Sequence, residues 1–221
     1  MIINHESGPW FRRWARHKAE NHEAQYNGAY YYSKELCDNV IPYIRTNRNW
    51  FTVTTNGQML DHSIVFIHQN SNPKKYKWLR GYKDLILVCS LPQTVEAVKN
   101  YGHAIYIPLS VDIKYVEQFK VEEKTKEIAY AGRIHRVKEY NTINFPKGID
   151  IISNLPREKF LQEMAKYKKV YASERAAIEA KILGCEVIPY VVDLLDYDFK
   201  VMDNSEIIPL LQREIDEVDG R

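Results

Sequence analysis

The chain has 221 residues, of which 45% are hydrophobic and 27% charged, with a formal net charge of +2. That is enough to build one large or two small globular domains, and it excludes a chain that binds polyanions through net charge alone. The balance is uneven: residues 1–112 hold 13 Lys and Arg against 9 Asp and Glu, while residues 113–221 hold 18 against 20. A mildly basic front half suits an anionic acceptor such as a nucleic acid or an anionic polymer.

Sixteen tyrosines point to broad amphipathic contact surfaces. Cys37, Cys89 and Cys185 are far apart and odd in number, without a CxxC pair, so neither a disulfide framework nor a zinc site is expected. The start MIINHESGPWFRRW has no signal-peptide core, and no apolar run reaches the ~20 residues of a membrane helix. A cytoplasmic, reducing compartment is the expectation.

In chain order, Met1–Asn4 reads as a first strand, Ser7-Gly8 as a tight turn, and Pro9–Asn21 and Tyr30–Arg45 as helices. Short apolar runs rich in β-branched residues then predict strands at Phe51–Thr54, Ser63–Ile67, Asp84–Cys89, Ala104–Ile107, Glu127–Tyr130, Ile149–Ile152, Lys169–Tyr171 and Glu186–Tyr190. Helical patterns lie between them at Lys74–Leu79, Pro92–Lys99, Pro156–Tyr167 and Ser173–Leu183, the last stopped by Gly184. This alternation predicts an α/β protein with two Rossmann-like lobes of parallel sheet. The lobes are placed at 1–112 and 113–205, joined through Leu109–Val121. Residues 206–221 complete an amphipathic C-terminal helix over Asn204–Val218, with Ile207, Ile208, Leu210, Leu211 and Ile215 as its apolar set.

Two motifs carry chemistry. In EIAYAGRIHRVK, a strand ends at Ala131 and is followed by Gly132, Arg133 and, five residues later, Lys138. In KKVYASERAAIEAKILGCEVIP, a strand leads to Ser173, a helix with Glu179-Ala180, then Gly184 and a further strand. Cations at a strand end suit a diphosphate whose charge grows as a bond breaks. A helix N-terminus offers amides to the same group. His68 closes the strand SIVFIH at the edge where open α/β sheets bind ligands. There it is a candidate for proton shuttling or for sugar contact.

In this order the segments resemble the nucleotide-sugar lobe of retaining GT-B glycosyltransferases. Tyr82–Asp112 resembles the end of that family's acceptor lobe. The resemblance implies that Arg133 and Lys138 neutralise the donor diphosphate beside Gly132. It places Ser173, as helix cap, and Glu174 at the phosphate and sugar, and Glu179 on the ribose hydroxyls. It also implies a nucleotide-diphosphate sugar as donor substrate, no cofactor, no required metal and retention of configuration. A further Glu, usual in the family eight residues before Glu179, is Tyr171 here, with Glu174 the nearest carboxylate. Two other readings stay open: a nucleotide-sugar binder without transfer activity, and an interaction protein on the same scaffold. The acceptor is an unidentified hydroxyl, with modified phage DNA and a cell-surface glycan both compatible.

Overall fold

The computed structural model describes residues 28–52, 59–67, 73–132 and 142–220. The expected strand Met1–Asn4, the helix Pro9–Asn21 and the functional candidates His68, Arg133 and Lys138 lie outside the described residues. The described chain is α/β and forms two compact units, each built on a four-stranded all-parallel sheet.

The first unit comprises Ala29–Leu109 and the C-terminal helix. Its strands β1 (Asn49–Thr52), β2 (Ser63–Ile67), β3 (Leu85–Cys89) and β4 (His103–Tyr106) lie side by side in sequence order. The two central strands, β2 and β3, are buried at every position, the unbroken apolar run expected of a parallel sheet covered on both faces. One face packs Val65, Ile67, Leu85 and Leu87 against Tyr76 and Leu79 of a 3₁₀ segment, Pro73–Gly81, and against Val98 at the end of helix α2 (Pro92–Val98).

Helix α1 (Gly28–Glu35) leads into one π turn, Leu36–Val40, and a 3₁₀ turn, Ile41–Tyr43. The sequence predicted one helix over Tyr30–Arg45. Pro42 has no N–H to continue the α-helical ladder, and the Ile41 N–H reaches back five residues to the Leu36 carbonyl instead.

The second unit is Ser110–Asp203. Its sheet has the order β6-β5-β7-β8, from β5 (Lys126–Ala131), β6 (Asp150–Ile152), β7 (Tyr167–Tyr171) and β8 (Glu186–Ile188). Helices α3 (Ile113–Glu117), α4 (Arg157–Met164) and α5 (Glu174–Ile182) complete it. β8 stops at Ile188 because Pro189 cannot donate to a ladder. Tyr167, expected on the face of α4, instead opens β7 and donates its hydroxyl to Asp150.

Lys124 sits where α4 and α5 end: its ammonium donates to the carbonyls of Ala165 and Leu183, the C-caps of the two helices. A cation there satisfies orphan carbonyls and complements both helix dipoles.

The C-terminal helix α6 (Asn204–Asp219) buries Ile207, Leu211 and Ile215 in the first unit, so the last segment belongs with the first sheet rather than standing apart. Its end is held by Arg48, which is 2% exposed and binds Asp219 and Asp84. Arg48, His62 and Asp84 each directly precede a strand, and the parallel register brings them together at the amino edge of the sheet. All three cysteines are buried thiols; burial pushes Cys89 up to about 12.

Candidate functional site

In a parallel sheet, βα turns and helix N-termini gather at the carboxyl edge, where ligands bind. In the second unit that edge is built by three adjacent strands. Tyr130 pairs with Tyr171, and Ala131 with Ile152. One or two residues further on, Ser153, Gly132 and Ser173 leave β6, β5 and β7 side by side. Strand spacing puts the two serines roughly 10 Å apart with the glycine between them. The Gly132 amide still bonds to the Ile152 carbonyl at 3.1 Å.

Gly132 is required at this point. Its φ is +155°, and a Cβ would come within 2.9 Å of the Tyr130 hydroxyl oxygen. Tyr130 is fixed in a ring cluster with Phe145 and Tyr190, at centroid separations of 5.3 Å each. Any side chain at position 132 strains the backbone and crowds that cluster.

The two serines share a local geometry. Ser153 is followed by Asn154 with φ of 55°, and Ser173 by Glu174 with φ of 53°. Both turns thus pass from a serine through a left-handed residue on the way to a helix. Asn tolerates that conformation, whereas Glu pays about 1–2 kcal/mol for it. Both hydroxyl oxygens are buried and have no hydrogen-bond partner among the described residues. An unsatisfied buried hydroxyl costs about 1–3 kcal/mol.

Ser173 occupies the position before α5, but its side chain does not cap the helix. Capping requires a helical first residue, and the left-handed Glu174 breaks that geometry. The cap expected from the sequence is thus not made: the Ser173 hydroxyl is buried and gives no side-chain hydrogen bond to the helix amides.

Glu179 lies elsewhere than on an open surface. It is fully buried, and its Oε1 accepts from Arg157 Nη1 at 2.8 Å and from Arg175 Nε at 2.7 Å. Both arginines are 5% exposed. Arg157 starts α4 and lies over the Tyr115 ring, 5.3 Å from its centroid; Arg175 is the second residue of α5. The carboxylate assigned by resemblance to a ribose thus ties together two guanidinium groups at adjacent helix starts. Tyr171, standing where the family has a second Glu, is 9% exposed and packs edge-on against Phe145.

The described residues therefore bring Gly132, Ser173 and Glu174 to one edge and set Glu179 beneath it. They add Ser153, Arg157 and Arg175, which sequence reasoning missed. Two of them had a signal: Ser153 follows a strand as Ser173 nearly does, and Arg175 stands four residues before Glu179, the spacing of a helical ion pair. Among the described residues no group of three or more His, Cys, Asp or Glu is arranged to hold a metal ion, and no helix is long and apolar enough to cross a membrane. Comparison with known protein families, curated proteins and solved structures finds no match to this chain.

Proposed function

We propose that the carboxyl edge of the second sheet binds a nucleotide-diphosphate sugar and that the protein is a glycosyltransferase of GT-B type. The observation that carries the proposal is the row of Ser153, Gly132 and Ser173: two buried hydroxyls without partners among the described residues flank a glycine whose Cβ would crowd the Tyr130 hydroxyl, and Ser173 stands directly ahead of α5. Hydroxyl donors, a helix N-terminus and close backbone approach are what a diphosphate asks of a protein. Arg157 and Arg175 lie beside the row, and Arg133 and Lys138 follow Gly132 in sequence. In transfer, the nucleoside diphosphate leaves with increased negative charge, which fixed cations stabilise more in the transition state than in the ground state. The sugar passes to an acceptor hydroxyl.

A second reading, binding without transfer, is favoured by two particulars. Glu179 is engaged by arginines, and Tyr171 packs against Phe145 in place of an acidic side chain. Calorimetric titration with UDP-, GDP- and ADP-sugars, followed by mass analysis of an acceptor panel, separates the readings. Binding with transfer supports the first, binding alone the second, and no binding of any nucleotide sugar removes both.

A further inference from the structure

Between Asp61 and Asp84 the sequence has no acidic residue and five basic ones: Lys74, Lys75, Lys77, Arg80 and Lys83. Most of this run is the 3₁₀ segment Pro73–Gly81, whose nine residues are long for that helix type. A 3₁₀ helix has three residues per turn, so side chains fall into rows at i and i+3. Burial follows that period. Tyr76 is 3% and Leu79 0% exposed, and Tyr82 continues their row half-buried. Lys77 and Arg80, extended by Lys83, make an exposed row, with successive cations about 6 Å apart along the axis.

Lys77, Arg80 and Lys83 form no ion pair with the described residues; the Arg80 guanidinium lies 5.8 Å from the centroid of the Tyr101 ring. The nearby acids are otherwise occupied. Asp61 accepts the Lys83 backbone amide, Asp84 pairs with Arg48 and His62, and Glu96 pairs with Lys99. Beside the cation row stands Trp78, 40% exposed, set against Tyr82 and Phe51 at centroid separations of 6.1 and 6.2 Å.

We propose that this face of the first unit binds single-stranded nucleic acid, with phosphates along Lys77, Arg80 and Lys83 and a base stacked on Trp78. A cationic track with an aromatic platform is the arrangement that unpaired strands use. A membrane surface is the competing partner for Trp and Lys together, but an interfacial helix must offer a whole apolar face to lipid. Here the apolar row, Tyr76 and Leu79, is already buried in the core, and one indole is what remains. The inference rests on the first unit alone and does not depend on the donor reading.

The test is fluorescence anisotropy of a labelled thymine homopolymer with the full chain across a salt titration. Three cations on a single strand predict a log–log salt slope of about −2. Trp78→Ala should weaken binding roughly fivefold or more, the equivalent of one lost stack. Lys77→Gln combined with Lys83→Gln, both at exposed positions, should flatten the slope by roughly 1.4 while circular dichroism stays unchanged. Lys168→Gln combined with Lys169→Gln, an equal loss of two charges at exposed positions of the second unit, should leave affinity and slope as they were. Three results overturn the proposal: affinity insensitive to Trp78 and to the two lysines, inorganic polyphosphate binding as tightly as the strand, or Trp78-dependent sedimentation with anionic vesicles and no oligonucleotide binding.

Discussion

Replacing Glu179 with Gln decides between two roles for one carboxylate. In the structure its Oε1 receives both guanidinium groups, and all three side chains are at most 5% exposed. Gln keeps an oxygen acceptor but removes the charge, so two charge-assisted hydrogen bonds become neutral ones and two buried cations lose their common counter-ion. Removing one partner of a buried pair costs about 3–5 kcal/mol, and retention of the acceptor puts the substitution near the lower end, about 3 kcal/mol. For a cooperatively unfolding chain of this size that lowers Tm by roughly 6–12 °C. Thermal and urea denaturation measure it. Arg175→Met in the same background should recover part of the loss, because one of the two buried cations that shared the Glu179 carboxylate is gone. The ligand arm uses a nucleoside diphosphate and inorganic pyrophosphate. A carboxylate that positions arginines affects both alike, whereas one on a ribose affects the nucleoside alone. Unchanged stability together with selective loss of nucleoside diphosphate binding would refute the positioning role.

Two further outcomes test the framework around the site. Lys124→Met should lower stability by about 1–3 kcal/mol, because the C-terminal carbonyls of α4 and α5 lose a shared charged donor; an unaltered urea midpoint would mean water replaces the ammonium at no cost. The hydrogen bond from His62, then Arg48, holds the Asp84 carboxyl below its ordinary range. Lys126, then Lys166, does the same for Glu163, and Arg213, then His103, for Glu214. A carboxylate lowered in the folded state stabilises it above the unfolded-state value, and the contribution is lost as pH falls toward the folded value, because the unfolded chain takes up protons first. The urea midpoint should therefore drop between about pH 5 and about pH 3; a rise over that window contradicts the assignment.

The strands β2 and β3 were legible in the sequence because central strands of a parallel sheet covered on both faces demand unbroken apolar runs. The eight strands predicted from Phe51 onward all overlap observed ones, and their ends shift by two residues or fewer, or stop where Pro189 interrupts pairing; the ninth, Met1–Asn4, lies outside the described residues. The helices were less legible where backbone chemistry overrode periodicity. Pro42 turns one expected helix into α, π and 3₁₀ pieces, and the spacing of Tyr76, Leu79 and Tyr82 by threes, which reads easily as a short α-helix, is that of a 3₁₀ segment. At the site, Gly132 and Ser173 could be placed because they come one and two residues after strands. The pairing of Glu179 with Arg157 could not, since it joins residues 22 apart through the packing of two helices. The left-handed Glu174 was invisible for a different reason: nothing in residue type announces strain, because Glu is a poor choice for that conformation.

That strain offers a way to separate backbone from side chain at the proposed site. Glu174 keeps φ at 53° although it is not a glycine, at the point where β7 passes into α5. In this turn Ser173 makes no side-chain hydrogen bond to the helix, and its hydroxyl is buried. Glu174→Gly removes the carboxylate and adopts the same backbone freely. Relief of about 1–2 kcal/mol of left-handed strain is set against about 0.5–1 kcal/mol of added chain entropy, so stability should hold or rise by up to about 1.5 kcal/mol. Glu174→Ala removes the same carboxylate and keeps the strain, and should leave stability near that of the parent. If Glu174 serves through the turn it makes, both variants bind a nucleotide sugar as the parent does. If its carboxylate contacts the donor sugar in place of the acid absent at Tyr171, both lose affinity for the nucleotide sugar while keeping it for the bare nucleoside diphosphate. Parallel titrations with the two ligands read the difference. A third result, loss of nucleoside diphosphate binding in the Gly variant alone with its fold intact by circular dichroism, would show that a turn held rigid by strain, rather than its shape or charge, makes the site.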